Sequence, residues 1–369
     1  MKLETTKRIV IKIGSSLLFN KENNKLNKEW LISLAEDVSF LKNQNKDVII
    51  VSSGAIALGA KDLNLEMKEL SLDKHQALAA IGQIQLMIAF KNAFEKYESK
   101  ISQILLTLDD TEKRRRSINA RRTIDTLLKL NITPVVNEND TIATNEIKYG
   151  DNDRLAARVA QITGADCLIL LSNINGLYSA DPKNNEKLKL INHVTEINST
   201  IEDMAGSSVS NTGKGGMKTK VMAAKTALSA GCHMAITNGT INNPVQALFN
   251  GRPCTWFEPN KTPLAARKQW IVGTMKPVGS VVIDDGAKQA LIKGSSLLPA
   301  GIVQISGEFE RGDAIEILSK AKSKIGIGLA SYSSIEGIKI MGHKSNEIGN
   351  ILSYSYREEM IHKDDLVLL

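Results

Sequence analysis

The sequence predicts an α/β protein with an open, mainly parallel sheet sandwiched by helices, followed by a small β-rich barrel domain. Up to about residue 250, short and almost wholly apolar runs alternate with longer amphipathic segments, as they do where crossover helices cover a parallel sheet. Beyond residue 277, short apolar runs are separated by glycine, a pattern typical of small barrels.

Six short runs are predicted to be strands of the sheet, because most of their residues are apolar and polar clusters bound them. They are Ile9–Ile13, Val48–Val51, Ile101–Leu106, Thr133–Val136, Cys167–Leu171 and Met234–Thr237. Several end in Gly, Ser, Asn or Asp clusters. Since ligands bind at the carboxyl ends of strands in open α/β sheets, the active site is expected there.

Apolar residues spaced three and four apart predict the helices between these strands. The predicted helices are Lys28–Lys42, Leu72–Tyr97, Thr111–Leu130, Asn152–Thr163 and Met217–Ala230, with Ser333–Ile340 and Asn346–Leu352 in the C-terminal part.

A chain of 369 residues is long enough for two domains. Four prolines, Pro253, Pro259, Pro263 and Pro277, are expected to interrupt regular structure and mark a linker. We therefore predict a first domain over residues 1–260, a linker over 261–276 and a second domain over 277–369.

The composition indicates a folded, soluble protein, with 42% hydrophobic and 24% charged residues. The three cysteines have no paired spacing, so neither disulfides nor a zinc site is predicted. No run of eighteen apolar residues predicts a membrane span, and Lys12 and Gly14 interrupt the apolar stretch nearest the N-terminus. We expect a cytoplasmic location.

Lys12 is the one lysine inside the otherwise apolar run that follows Arg8 in "RIVIKIGSSLLF". Its neighbours Ile11 and Ile13 indicate a central strand, so its ammonium is expected to reach the crevice at the strand end and to need an anionic partner. The alternative is a lysine on a solvated sheet edge.

A glycine-rich loop with Lys214, Lys218 and Lys220 opens onto a helix in the segment Asn211–Gly231. Free backbone N–H groups and the positive end of a helix dipole bind phosphate well. The alternative is a flexible basic loop before a surface helix. No Walker A pattern is present, so a phosphate loop here belongs to a different nucleotide-binding fold.

Acidic and amide residues are concentrated around a predicted hairpin within Val135–Ala160: Asn137, Glu138, Asn139, Asp140, Asp151, Asn152 and Asp153. They could bind an amine, hold Mg²⁺ through water, or pair with lysines. Turn chemistry and helix capping are the alternative. The five histidines are scattered, which favours an acceptor that needs no general base, such as a carboxylate.

A basic run, Glu112–Arg122, and a net charge of +7 raise the possibility of nucleic-acid binding. No aromatic residues interleave in the run to stack on bases. A solvated helix face or a subunit interface is the favoured interpretation.

Six motifs together resemble the amino acid kinase family: "VIKIGSS", "VSSGAIALG", "VVNENDT", "KYGDNDRLAARVA", "LLSNINGLYSADP" and "GKGGMKTKVMAAKTA". The C-terminal part resembles the PUA domain that many bacterial members carry. The resemblance implies Mg²⁺-dependent transfer of the γ-phosphoryl group of ATP to the side-chain carboxylate of L-glutamate. The product would be glutamyl 5-phosphate, in the first step of proline biosynthesis.

By this resemblance Lys12 contacts the transferring phosphate, Lys220 stabilises the leaving side, and Asp153 holds the two lysines. The glutamate site is implied at Ser53, Asp140 and Asn152, and no protein ligand to a metal is implied. The ATP site is implied at Lys12, Ser172, Asn173, Lys214, Gly215, Gly216, Met217, Lys218, Thr219 and Lys220. Asn173, Lys214 and Lys218 depart from the commonest residues of the family.

The resemblance also implies a homo-oligomer, dimeric or tetrameric, with proline as a candidate feedback inhibitor. Two alternatives stay open. One is another carboxylate kinase of the same family, and the other is an RNA-binding protein that acts through the PUA-like domain.

Overall fold

The computed structural model describes residues 3–19, 26–65, 70–143, 152–179, 188–206, 216–274, 276–354 and 357–369. The chain divides into two compact units, Met1–Pro263 and Leu264–Leu369. Each unit has its own sheet and its own core.

The first unit is built on an eight-stranded sheet. Its strands are β1 Arg8–Ile13, β2 Asp47–Val51, β3 Ile101–Leu106, β4 Thr133–Glu138, β5 Cys167–Ser172, β6 His193–Val194, β7 His233–Asn238 and β8 Cys254–Phe257. Their order is β3-β4-β2-β1-β5-β7-β8-β6, and every neighbouring pair is parallel except β7 and β8. The predicted mainly parallel α/β sheet is confirmed, with all six predicted strands present.

Helices join the strands and cover both faces of the sheet. They are α1 Ser15–Leu18, α2 Lys28–Asn43, α3 Ala55–Asp62, α4 Leu72–Glu95, α5 Leu108–Glu112, α6 Arg114–Lys129, α7 Asn152–Thr163, α8 Ser199–Met204, α9 Met217–Ser229 and α10 Pro244–Phe249. The prediction of one helix over Thr111–Leu130 is wrong, because Lys113 is extended (ψ 113°) and separates α5 from α6. Residues 144–151, where most of the predicted hairpin falls, lie outside the described residues.

Alternate residues of β1 point into two different cores. Ile9, Ile11 and Ile13 belong to the first core, with α2 and α4, while Val10 belongs to the second core, with α6, α7 and α9. Because side chains alternate along a strand, Lys12 faces the same side as Val10. The fold therefore directs the single lysine of β1 towards α7 and α9.

Helix α4 passes very close to α3 at a pair of glycines. A Cβ atom on Gly59 would collide with the carbonyl of Leu78, and one on Gly82 would collide with the carbonyl of Ala55. Only glycine permits this approach of the two backbones. The close contact places the start of α3, directly after Ser53 and Gly54, against the middle of α4.

Among the described residues, one helix is long and apolar enough to cross a membrane by length and composition, namely α4. Core helices of soluble proteins pass the same test. Leu86, Phe90 and Phe94 of α4 are fully buried in the first core.

The second unit contains a five-stranded sheet that packs on short helices. Its strands are β9 Gly279–Ile283, β10 Ile302–Ser306, β11 Ala314–Leu318, β12 Lys324–Leu329 and β13 Leu366–Leu368, in the order β10-β9-β11-β12-β13. Helices α12 Asp285–Ile292, α13 Ser334–Ile340 and α14 Ile348–Leu352 accompany them. The predicted β-rich C-terminal domain is confirmed as this separate sheet.

The prediction that prolines keep residues 261–276 free of regular structure is wrong. A helix, α11, covers Pro263–Thr274. Proline is tolerated at the first position of a helix, because the N–H that it lacks has no intrahelical partner there. The domain boundaries themselves stay a prediction.

Candidate functional site

One buried carboxylate, that of Asp153, joins two lysines from distant parts of the chain. The Nζ atom of Lys12, on β1, lies 2.6 Å from Oδ1 of Asp153, and the Nζ atom of Lys220, on α9, lies 3.0 Å from Oδ2. Asp153 is the second residue of α7, and 2% of its side chain is exposed. Neighbouring helices α7 and α9 on one face of the sheet bring the three groups together.

The two ammonium groups control the charge of this cluster. Burial alone would raise the pKa of Asp153, but Lys12 and Lys220 outweigh burial and hold that pKa well below its usual range. An ionised carboxylate between two ammonium groups leaves the buried cluster with one net positive charge. A buried charge of this kind needs a counter-ion, so the cluster is suited to an anionic ligand.

Thr219 connects the same carboxylate to the start of α9. Its Oγ1 lies 2.9 Å from Oδ2 of Asp153 and 2.9 Å from the carbonyl oxygen of Gly216, and these two acceptors share its single hydroxyl hydrogen. Gly216 is the N-cap residue of α9 and has no side chain that could cap the helix. The first N–H groups of α9 are therefore suited to phosphate oxygens.

Ser53 lies at the carboxyl ends of β1 and β2. Its Oγ donates to the carbonyl oxygen of Ile13 over 2.8 Å. The next residue, Gly54, has a φ of +98° and is the N-cap of α3. A left-handed residue between strand and helix favours glycine, which explains the sequence "SSGA" at this point.

Asn152 and Asp140 lie at two further loop ends on this edge of the sheet. Asn152 begins α7 and is 5% exposed, and its Oδ1 has no hydrogen-bond partner in the part of the chain that the structure describes. Asp140 follows β4 and lines a cavity of about 200 Å³. The buried oxygen of Asn152 is an acceptor suited to an ammonium or hydroxyl group of a ligand.

The residues expected to bind ATP lie at two places. Ser172 ends β5, and its Oγ donates to Oδ1 of the neighbouring Asn173 over 3.4 Å. Met217 begins α9, where Lys218 is exposed to solvent. Lys214 and Gly215 lie outside the described residues.

Two residues of the basic run Glu112–Arg122, which spans the end of α5 and the start of α6, pair with nearby carboxylates. Arg116 contacts the carboxylates of Asp109 and Asp110, at 3.3 and 3.0 Å, and Lys113 contacts Asp109 at 2.8 Å. These side chains are largely solvent-exposed, which favours a solvated helix face over a nucleic-acid surface.

Neither a resident metal centre nor a reactive thiol is evident among the described residues. No group of three or more His, Cys, Asp or Glu there could hold a metal ion. Burial raises the pKa of the Cys254 thiol to about 11 and raises those of Cys167 and Cys232 further. Thiols that remain protonated are poor nucleophiles.

Sequence reasoning missed Gln83, a buried residue of α4 that lines the same cavity as Asp140. No local pattern marks it, since it lies within an amphipathic helix. It also missed the bond from Thr219 to Asp153, which joins residues 66 positions apart.

Comparisons with known proteins agree with this geometry. The model of the amino acid kinase family matches residues 7–238, and the model of the PUA domain matches residues 279–352. The chain is 54% identical to a glutamate 5-kinase from Pelagibacter ubique, with 100% of each chain covered. It is 50% identical to one from Paramagnetospirillum magneticum, with 99% of each covered. A solved carbamate kinase from Giardia lamblia, bound to AMP-PNP, shares the fold with a TM-score of 0.50 at 17% identity, over 70% of this chain and 100% of its own.

Proposed function

The chain belongs to the amino acid kinase family, and from this premise we propose that it has glutamate 5-kinase activity. It transfers the γ-phosphoryl group of ATP to the side-chain carboxylate of L-glutamate and forms L-glutamyl 5-phosphate, in the first step of proline biosynthesis. Full-length relatives that carry this name support the proposal.

The contact of Lys12 and Lys220 with the two oxygens of Asp153 is the observation that carries the proposal. Phosphoryl transfer proceeds through a loose transition state, so catalysis consists mainly of positioning and charge stabilisation. Lys12 stabilises the transferring phosphoryl group and Lys220 stabilises charge on the leaving side. Asp153 keeps the two ammonium groups close together despite their repulsion.

The acceptor needs no general base in this reaction. A side-chain carboxylate is already ionised at neutral pH and attacks phosphorus directly. Ser53, Asp140 and Asn152 hold the glutamate, and the unpartnered Oδ1 of Asn152 supports this role because it can accept from the α-ammonium group.

The nucleotide binds at the C-terminal end of β5 and the N-terminal end of α9. Ser172 and Asn173 contact it from β5, and Gly216, Met217, Lys218, Thr219 and Lys220 at the start of α9 contact its phosphates, together with Lys214 and Gly215, which precede them in the sequence. Mg²⁺ bound together with ATP would neutralise charge on its phosphates.

We further propose that the protein is a cytoplasmic homo-oligomer. Strand β3 is an edge strand of the sheet, and beside it Ile84 and Ile88 of α4 are 65% and 53% exposed. An exposed strand edge next to an apolar helix face favours association between copies. Light scattering on the purified chain measures the dimer or tetramer directly.

An acceptor panel tests the proposed activity. ATP turnover is measured with L-glutamate, N-acetyl-L-glutamate, L-aspartate, carbamate and UMP, each with and without proline. The proposal expects turnover with L-glutamate well above the others, and inhibition by proline if feedback control operates. Turnover with another acceptor and none with L-glutamate would overturn it. Salt-sensitive RNA binding by the full chain, without kinase activity, would favour the alternative based on the PUA domain.

A further inference from the structure

Gln83 is a buried amide whose hydrogen-bonding capacity is only half used. It lies on α4 with 8% of its surface exposed. Its Oε1 accepts a hydrogen bond of 2.8 Å from Nδ2 of Asn137, at the end of β4. Its Nε2 is buried and has no hydrogen-bond partner in the described part of the chain.

A backbone group fixes the orientation of both amides. The N–H of Glu138 can only donate, and it lies 3.0 Å from Oδ1 of Asn137. Asn137 must therefore turn its Nδ2 towards Gln83, and Gln83 must present Oε1 to it. The Nε2 of Gln83, with two N–H donors, is consequently directed away from Asn137.

Gln83 lines the cavity that follows the end of β4. The cavity also contains Glu138, Asn139, Asp140 and Thr141 from the loop after β4, and Gln103 from β3. Among the described residues that line it, none is Lys, Arg or His, and the hydroxyl of Thr141 already donates to Oδ1 of Asn139. Gln103 is exposed, so the amides of Gln83 and Asn139 are the side-chain donors that the described lining offers to an anionic group in the buried part of the cavity, and Nε2 of Gln83 is the buried one that lacks a partner there.

The strand register gives the approximate distance between Lys12 and this cavity. Lys12 is in register with Val51, and Val51 with Val136, the residue before Asn137. Two strand spacings, about 10 Å, therefore separate the end of β1 from the end of β4. Lys12 faces the side of the sheet covered by α7 and α9, whereas Gln83 lies on α4, on the other side. An amino-acid dicarboxylate with one carboxylate at Lys12 would therefore have to pass over the strand ends to reach Asp140 and Gln83.

We propose that Nε2 of Gln83 binds the α-carboxylate of the amino-acid acceptor, and that this contact selects acceptors that have an α-carboxylate. The inference rests on the proposed function, because it takes the acceptor to be L-glutamate. An α-amino acid has an ammonium and a carboxylate on one carbon. The cavity offers one anionic side chain and one amide donor that could bind these two groups. The carboxylate of Asp140 suits the ammonium, and the amide N–H of Gln83 suits the carboxylate.

A comparison of two acceptors in two variants tests this contact. 4-Aminobutanoate has the amine and the reacting carboxylate of L-glutamate but lacks the α-carboxylate. Gln83→Glu keeps an acceptor for Asn137 and removes the donor, and Gln83→Met removes the amide at similar size. For both variants we expect kcat/KM for L-glutamate to fall about 30-fold, as for a lost hydrogen bond to a charged group. For 4-aminobutanoate the change should be under about threefold, with the KM for ATP unchanged.

Gln76→Met is the matched control. Gln76 lies on the same helix, and its Nε2 already donates to the carbonyl oxygen of Ala143 over 3.0 Å. The control loses a structural hydrogen bond, so the ratio of the two kcat/KM values should stay that of the wild type.

Two results overturn the inference and are distinguishable from each other. If the wild type phosphorylates L-glutamate but both Gln83 variants keep the wild-type ratio, Gln83 has only a structural role. If the wild type does not phosphorylate L-glutamate, the proposed function fails and this inference fails with it. Should Gln83→Met not fold, the ratio measured for Gln83→Glu decides alone.

Discussion

The Nζ atoms of Lys12 and Lys220 bind different oxygens of one carboxylate, at 2.6 and 3.0 Å, although 208 positions separate the two residues in the chain. Asp153 thereby keeps two like charges side by side in a buried site. Lys12 comes from the end of β1 and Lys220 from the start of α9. The parallel sheet thus brings together the two charges that phosphoryl transfer requires.

Removal of either lysine is expected to reduce catalysis strongly. Lys12→Ala and Lys220→Ala should each lower kcat about 100-fold, or about 3 kcal/mol, by analogy with a lost oxyanion-hole donor. Lys225→Ala is the control, since Lys225 is half-exposed on the same helix as Lys220 and pairs with Glu202 at the surface. Its kcat should stay within about twofold of the wild type. An effect at Lys225 as large as at Lys220 would contradict the account.

The hydroxyl of Thr219 should be needed to hold Asp153. Thr219→Val removes the donor and is expected to lower kcat about tenfold, whereas Thr219→Ser keeps the donor and should retain most of the activity. Steady-state rates of the two variants, with thermal unfolding as a check on folding, measure this. Equal rates for valine and serine would show that the hydroxyl is dispensable.

Asp37 should give the stability of the first unit an unusual dependence on pH. Burial raises the pKa of Asp37 to about 6, although the backbone N–H groups of Val245 and Gln246 oppose this rise. From about pH 4 to about pH 6 the folded state therefore binds more protons than the unfolded state, and the free energy of unfolding falls as pH rises. Asp37→Asn removes this contribution.

Urea unfolding of the wild type and Asp37→Asn across that range measures the effect. The wild type should lose up to about 3 kcal/mol relative to the variant between the two ends of the range. Asp153 acts in the opposite direction at lower pH. Because its pKa is held below the usual range, its contribution is present above about pH 4 and is lost as pH falls further. A difference between the two proteins that does not change with pH would contradict the role of Asp37.

The close approach of α3 and α4 should not tolerate a methyl group. Gly82→Ala would force its Cβ against the carbonyl of Ala55 and is expected to cost about 1–3 kcal/mol of unfolding free energy. It should also raise the KM for the acceptor, since α3 begins beside Ser53. Gly273→Ala is the control, because a Cβ there meets nothing within 4 Å and should stabilise α11 by about 0.5–1 kcal/mol. A Gly82→Ala protein as stable as the wild type would show that the helices can separate.

The sequence predicts those site residues that differ clearly in chemical type from their neighbours in the chain. Lys12 is conspicuous because it is the one lysine among the apolar residues that follow Arg8 in β1, and the alternation of side chains along a strand indicates which face of the sheet it lies on. The loop before α9 is visible because glycines and lysines alternate before a helix. Both features depend only on residues that are adjacent in the sequence, so they can be recognised before the structure is known.

Features that depend on distant contacts could not be predicted in this way. The position of Gln83 against Asn137 depends on how α4 crosses the sheet, and nothing in the periodicity of a helix reports that. The break at Lys113 is a change at one residue, too local for a periodic pattern to detect. Helix α11 was missed because Pro263 interrupts a helix only when it lies inside one, and here it begins the helix.

Transfer of an isotopic label tests the central claim most directly. The protein is incubated with ATP and L-glutamate that carries ¹⁸O in its side-chain carboxylate, and hydroxylamine then cleaves the acyl phosphate at its carbonyl carbon. If the carboxylate attacks the γ-phosphorus, γ-glutamyl hydroxamate forms and the released phosphate carries one ¹⁸O atom from glutamate, with both products strongly reduced in Lys12→Ala. Phosphate without ¹⁸O, or the absence of hydroxamate, would contradict the account.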